Sequence, residues 1–574
     1  QTEFTVELPF GSTTMGDIKV VKTYPEQTVL IDNGGVYAPT TITVKSNQKG
    51  IADAIYTLIP TIAKPQAVLA SINVNGNPIS DFNPYKYQYI VNVANAEGEI
   101  PTLEYTNNTT TSAIEDFANG VKSATIKVTG KDDGSSNTYK IMYYYTTDVL
   151  PNGEFDNWSN ATTYTSAKKP TGWSTIADVV GATDIKSNAT IFGLPIGSLF
   201  TVGTYKPDAA VTQSGDQVHL KTIYDSNLKG SIPGLITLGE ITAKLGMEAT
   251  TTDVSGGILF RNTPDMVSMR YQPVSKSNVS SSHFVYALNN GAYKKEFTDN
   301  NFNNTWKIID LPLLDNSVEA PAMMNIIINS CEAENSSSLS SNAASEMNVD
   351  WIRLSYNSKI AKILVNGKAT KGFRGQYDGG WVQAVNIDTD LQGEPTLSFV
   401  GEVADQEYSY YFDEEVENCS GSKTRVAHIT SKAEDGTLSH YIVNLNRQRS
   451  ANANLTSITV NDQLVAGFAP NTTNYTVVTN PLYVPDVTAV RGNMYQTITY
   501  DSISNELAII KVKAENGTEK TYTLHFVKAM NADATLKNIT VEGATDFAFA
   551  PNTTNYVVKL AAETGLPNIT FAKQ

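Results

Sequence analysis

Apolar side chains recur at every second position in short runs such as Ile458-Thr-Val460, Ile126-Lys-Val128 and Thr41-Ile-Thr-Val44. That period puts one side-chain set on one face of a strand. Turn signals separate the runs, and Asn75-Gly76 and Asn366-Gly367 have the composition of tight hairpin turns. The runs also repeat in frame. Phe468-Ala-Pro-Asn-Thr-Thr-Asn-Tyr475 returns as Phe549-Ala-Pro-Asn-Thr-Thr-Asn-Tyr556, 81 positions on, and Leu455, Ile458 and Val460 return as Leu536, Ile539 and Val541. A looser copy holds Leu69, Ile72, Val74, Phe82, Pro84 and Tyr89, and another opens with Ile360, Ile363, Val365 and Phe373. Three copies close alike, with a five-residue step from Gly134 to Tyr139, Gly436 to Tyr441 and Gly517 to Tyr522 that reads as a hairpin. A fixed long period marks a string of modules. Short strands over roughly 80–90 residues predict an immunoglobulin-like β-sandwich for each. The recurring Phe and Tyr read as core packing and a strand-corner contact, not as ligand contacts.

Residues 148–357 break the period and hold four of the five tryptophans, Trp158, Trp173, Trp306 and Trp351. The predicted architecture is therefore all-β: tandem immunoglobulin-like β-sandwich repeats flanking a central jelly-roll β-sandwich. Its expected modules are a partial sandwich at 1–61, a repeat at 62–147, the jelly roll at 148–357, a diverged repeat at 358–448, a repeat at 449–530 and a truncated repeat at 531–574. Residues 1–61 read as a second half without a beginning, because Phe4-Thr-Val-Glu-Leu8 fits the Tyr-led strand and Thr41–Val44 to Tyr56 the closing hairpin. Residues 531–574 read as a first half alone. Half a sandwich leaves open edges and apolar faces in water. Three resolutions are open: further sequence, packing on a neighbouring module, or completion of one molecule's head by another's tail.

The repeats resemble the cadherin-like β-sandwich repeats of bacterial surface and secreted proteins, over the first quarter and last third of the chain. The acidic motifs that hold calcium between true cadherin domains are not visible near Gln66, Ser450 or Asn531, which implies spacer or presentation modules. The middle segment opens Pro151-Asn-Gly-Glu-Phe-Asp-Asn-Trp158, continues to Pro170-Thr-Gly-Trp173 and closes Val349-Asp-Trp-Ile-Arg-Leu354. It resembles the carbohydrate-metabolism domain of bacterial surface proteins, a jelly roll similar to carbohydrate-binding modules. One departure is that Trp351 stands where the closing strand often has a second acid. The resemblance implies a glycan partner and a structural calcium tying first and last strands, with Asn152, Glu154, Asp156 and Asp350 as the candidate oxygen ligands. Sugar rings need an aromatic platform and polar forks. Arg261, Arg270, Tyr271 and Trp351 are the candidate ligand-binding residues, while Trp158, Trp173 and Trp306 read as core.

Composition narrows the partners. A net charge of −16 argues against nucleic acid and against an anionic membrane surface. Only Cys331 and Cys419 occur, in different modules, so a disulfide framework or cysteine zinc site is not expected. No run approaches the roughly 18 apolar residues of a membrane span. The chain opens Gln1-Thr-Glu-Phe4 without a signal segment, and the module types lead us to expect an exported, extracellular or outer-membrane surface form from which a signal, a lipoprotein one among the options, has been removed. Zinc-helix, nucleophile-elbow, phosphate-loop and dinucleotide motifs are missing. With 58 acids, a glycosidase carboxylate pair stays open. The expected function is a monomeric, multi-modular surface protein of the polysaccharide-utilisation type that binds or presents glycans through the jelly roll, with the repeats as a stalk. The alternatives are a glycoside hydrolase or lyase, and a structural adhesin with a protein ligand.

Overall fold

The computed structural model describes all residues except 1, 109–111, 187–189, 192–193, 196–200, 226–229, 245–250, 275–281, 314–321, 332–344, 371–381, 419–420, 530–533, 562–564 and 574. Strands dominate, and helical turns among the described residues are limited to short 3-10 segments. No helix among them is long and apolar enough to cross a membrane. The chain forms two compact units. One comprises Gln1–Ala63, Thr389–Glu394 and Arg449–Gln574, and the other Lys64–Asp388 and Pro395–Gln448.

In the larger unit, residues 64–147 and 358–448, apart from 389–394, share one plan. A three-stranded sheet (Asn77–Pro78, Leu69–Val74, Leu103–Asn107) faces a four-stranded one in the order Gln88–Val93, Ser136–Tyr145, Ser123–Gly130, Ser112–Asn119. Lys368–Ala369, Ile360–Val365 and Leu397–Gly401 repeat the first sheet, and Val382–Asn386, Leu438–Arg447, Lys423–Lys432 and Glu407–Phe412 the second. In the smaller unit residues 449–530 follow the same plan.

The recurring residues hold this plan together. Asn75, Asn366 and Asn461 take positive φ values of 52°, 50° and 49°, and their side-chain oxygens accept the backbone N–H of Thr102, Thr396 and Asp486 at 2.8–2.9 Å. Asn tolerates that left-handed conformation better than most residues. Phe82 packs between Tyr89 and Tyr139 as Phe468 does between Tyr475 and Tyr522; Phe373 lies outside the described residues. Each closing-strand Tyr is a corner tie. The Tyr139 hydroxyl donates to Pro84 O at 2.5 Å and accepts from Leu69 N at 3.0 Å. Tyr522 does the same with Pro470 O (2.7 Å) and Leu455 N (3.1 Å). Tyr139→Phe leaves the buried Leu69 N–H without a partner, a cost of about 1–3 kcal/mol. The expected result is faster hydrogen exchange at Leu69 and its neighbours, with the matching amides near Leu455 unchanged.

Residues 1–61 pack on a neighbour that is remote in sequence. Glu3–Leu8, Ala54–Ile62, Thr40–Lys45 and Thr28–Asn33 form a sheet in the order that the four-stranded sheets of the repeats show. Its last strand pairs in parallel with Val487–Arg491, joining the sheet of the 449–530 repeat. Leu30 enters that repeat's core, and the Tyr500 hydroxyl donates to Ile31 O at 2.7 Å. Arg491 grips Asp32 through two nitrogens at 2.7 and 2.6 Å, and Val29 N donates to Asp486 at 2.7 Å. At the other end, Leu536–Val541 pairs with Ile569–Lys573 as Leu455–Val460 does with Val487–Arg491.

Residues 148–357 form a two-sheet sandwich in the larger unit. One sheet runs Ser174–Thr175, Leu235–Thr237, Ala322–Asn329, Ser282–Leu288, Tyr293–Asp299, with Ile258–Phe260 also on Ala322–Asn329. The other runs Val211–Ser214, Gln217–Lys221, Glu346–Ser355, Met266–Val274, Lys307–Pro312. Between them lies a core that includes Phe155, Trp173, Val218, Met269, Phe284, Ile326 and Ile352. The opening and closing segments meet as the sequence leads one to expect: Ile352 N donates to Gly153 O at 2.8 Å. Gly153 fits there because a Cβ would sit 2.3 Å from Ile352 O.

A polar sheet face as candidate functional site

Strict alternation along the five-stranded sheet of this sandwich sorts its side chains. Val267, Met269 and Tyr271 point into the core, and so do Val218, Leu220, Met347 and Val349. The residues between them, Gln217, His219, Ser268, Arg270, Gln272 and Asn348, lie on the outer face. Midway along Glu346–Ser355 the register shifts. Arg270 pairs with Trp351 and Tyr271 with Val349, so Asp350 is an extra residue. A bulge re-aims side chains, and this one brings Asp350 and Trp351 toward the outer face, with Ile352 back in the core.

Three rows of contacts cross the strands there. His219 Nδ1 meets Asn348 Oδ1 at 2.8 Å, and Asn348 Nδ2 donates to Gln272 Oε1 at 2.9 Å. Gln217 Nε2 donates to Asp350 at 3.3 Å, and Arg270 pairs with the same carboxylate. The Arg270 guanidinium lies 4.6 Å from the centre of the Trp306 ring. Arg353 sits 4.3 Å over Trp351 and holds Glu154 through Nε and Nη2 at 2.6 and 2.9 Å. Ser268 donates to Asp310 at 2.6 Å, and Ile308 is 60% exposed beside Arg270. The two partly buried tryptophans, the two arginines fixed against them and the row of amides form a pre-set surface. Stacking on an aromatic limits the freedom of each guanidinium, so its N–H fork is presented in a fixed direction.

Of the predicted binding residues, Arg270 and Trp351 come together on this face. Arg261 and Tyr271 do not. Arg261 is 3% exposed and joins the sandwich to the 62–147 repeat. Its backbone N, Nε and Nη2 donate to the Asp148 carboxylate, each at 2.8 Å, and Nη1 donates to Ala96 O at 3.0 Å. Burial pushes the Asp148 carboxyl up, and the Arg261 hydrogen bonds outweigh it, so the group ends below the usual range. Tyr271 is a core residue whose hydroxyl donates to Asp299 at 2.7 Å. Three of the four predicted calcium ligands are engaged by other groups. Asn152 closes its own turn through Asn157, Glu154 is held by Arg353, Asp350 by Arg270, and Asp156 is exposed. Among the described residues no three or more His, Cys, Asp or Glu side chains gather to hold a metal.

The alternation of Met266–Val274 carried a signal for Gln272 and Ser268. Trp306 was expected in the core, yet its position just before Lys307–Pro312 sets it at the sheet's margin, where its ring underlies Arg270. Gln217, His219 and Asn348 alternate in the same way, but alternation alone does not tell which outward rows meet on one face.

Two carboxylates with raised pKa lie elsewhere, where the sandwich meets the 358–448 repeat. Glu434, 6% exposed, accepts from Thr263 N at 2.9 Å, and burial pushes it up to about 7. Asp265 accepts from Asn357 N at 2.6 Å and is raised by burial to about 6. Asp265 also lines a 450 Å3 cavity with Gln88, Leu313, Phe399 and Tyr408.

No protein-family model matches the chain, and no curated protein sequence matches it. Among solved structures, a secreted serine protease VesC from Vibrio cholerae is 8% identical over 61% of this chain and 49% of its own, with a TM-score of 0.15. The chain thus spans about half of that protein. A protocadherin GammaB4 extracellular domain is 8% identical over 92% of this chain and 84% of its own, with a TM-score of 0.13. A Bacteroides uniformis beta-glucuronidase 2 is 9% identical over 62% of this chain and 28% of its own, with a TM-score of 0.12. Scores this low carry no argument about fold or function.

Proposed function

We propose that this chain is an exported, multi-modular surface protein that binds glycans on the outer face of the five-stranded sheet in residues 148–357. The observation that supports the reading is the pairing of Arg270 with Trp306 and of Arg353 with Trp351 beside the His219–Asn348–Gln272 ladder. Indole rings cover the apolar face of a sugar, and guanidinium and amide groups fork onto its hydroxyls. The repeats then serve as spacers. Asp265 and Glu434, the carboxylates raised by burial, lie away from this face.

Affinity electrophoresis of the full chain through gels containing soluble polysaccharides tests the reading. At least one polysaccharide is expected to retard the protein, and Arg270→Ala with Trp306→Ala to weaken that retardation by roughly ten-fold or more, about 1.4 kcal/mol. Retardation that survives both substitutions places the binding elsewhere.

A further inference from the structure

The smaller unit contains a cavity of 720 Å3, within the range of small-ligand sites. It arises from the sheet addition described above. With Thr28–Asn33 paired to Val487–Arg491, the segment Thr13–Lys19 and the loop Asn33–Tyr37 lie opposite the outer face of the Leu455–Val460 and Val487–Arg491 strands. Alternation sends Ile458, Val460, Val487 and Ala489 into the repeat's core, and so leaves Ser457, Thr459, Thr488 and Val490 on the cavity side.

The lining is hydroxyl- and amide-rich. Thr459 and Thr488 are cross-strand partners, with Ser457 next to them and Gln392 and Gln463 at the walls. Among the described residues, none of these five side chains makes a hydrogen bond within the protein. One aromatic ring lies among them, Tyr37, and Gly393 at φ +79° passes so close that a Cβ there would stand 3.1 Å from it. The charges are mixed: Asp17 and Lys19 share one segment, Arg491 is already held by Asp32, and Asp462 adds one further carboxylate. A polar cavity whose hydroxyls and amides are not engaged by the protein itself can offer them to a ligand carrying many hydroxyls. Absence of a one-sign cluster fits a neutral ligand better than an ionic one.

We propose that this cavity is a second binding site, for a short neutral oligosaccharide, independent of the outer-face site in residues 148–357. Thr459, Thr488 and Ser457 supply hydroxyl contacts, Gln392 and Gln463 amide contacts, and Tyr37 a ring face. The test uses the full chain with maltotriose, cellotriose, xylotriose and mannotriose as probes, read by saturation-transfer NMR and calorimetric titration. At least one trisaccharide is expected to bind, with affinity reduced at least ten-fold in Thr459→Val/Thr488→Val and unchanged in Arg270→Ala/Trp306→Ala. Tyr37→Leu, on a loop, gives the same readout should the threonine variant fail to fold. Lack of binding by all four probes overturns the proposal. So does binding that persists in the Thr459/Thr488 and Tyr37 variants, or that disappears in the Arg270/Trp306 variant.

Discussion

Replacing Arg261 with Met is expected to lower the stability of the larger unit by about 3–5 kcal/mol, the usual cost of leaving one member of a buried ion pair alone. Asp148 is 5% exposed, and three of its hydrogen bonds come from Arg261. The backbone donor survives the substitution, but both guanidinium bonds vanish, and so does the packing of that group 3.7 Å over the Tyr145 ring. Asn262 continues the same joint, accepting from Tyr145 N at 2.7 Å and donating to Tyr145 O and Asp148 O at 2.9 Å. Denaturant unfolding, followed by hydrogen exchange in residues 89–97 and 145–150, reads the effect. Adding Asp148→Asn should recover much of the loss, because the stranded charge is then gone. A single variant as stable as the parent refutes this account of the joint.

The contact between the sandwich and the 358–448 repeat is expected to be firmer at pH 5 than at pH 8. An unfolded glutamate ionises near 4.5, whereas Glu434 in the folded protein is raised to about 7 because burial disfavours its charge. Asp405 adds repulsion and Lys122 a smaller attraction, with the Thr263 hydrogen bond favouring the ionised form. A raised carboxyl contributes stability that is fully present below its unfolded pKa and is lost as pH rises through its folded pKa. The window is therefore roughly pH 4.5–7, and a shift of this size corresponds to about 3–4 kcal/mol. Asp265, raised to about 6, acts in the same direction. Glu434→Gln should flatten the pH dependence of unfolding over that window and raise stability at pH 8. An unchanged pH profile in this variant would show that Glu434 is not the group responsible.

Much of the fold was legible because repetition supplies an internal alignment. Leu455, Ile458 and Val460 could be read as one strand face because Leu69, Ile72 and Val74 keep the same spacing, and the structure buries all six. The ends of the middle module were legible for a related reason: Phe155 and Trp173 sit in fixed motifs whose rings pack together 5.6 Å apart. The partner of Thr28–Asn33 was not. A strand edge advertises unpaired amides without naming what will pair with them, and the complement at Asp486, Arg491 and Tyr500 lies in a copy whose own period gives those residues no special meaning. The candidate face was half legible. Arg270 and Trp351 stand on strands with readable alternation, but the bulge that adds Asp350 to the row follows from pairing between strands and not from either one. Arg261 misled because its chemistry suits a cleft as well as a buried joint.

The pairing of Thr28–Asn33 with Val487–Arg491 also sets an order of events in synthesis. Val29 and Asp486 are 457 positions apart, and at about 5–20 residues per second the donor strand is made roughly 20–90 s before its acceptor. Its sheet partners in Thr40–Lys45 and Ala54–Ile62 are local and can assemble at once. One edge, with Leu30 beside it, therefore waits in water while the repeat at 62–147, the sandwich and the repeat at 358–448 are made. An open apolar edge is a template for wrong pairing, so the nascent chain gives a holding factor a specific place to act, and slowing translation should raise the yield of aggregate through this strand first.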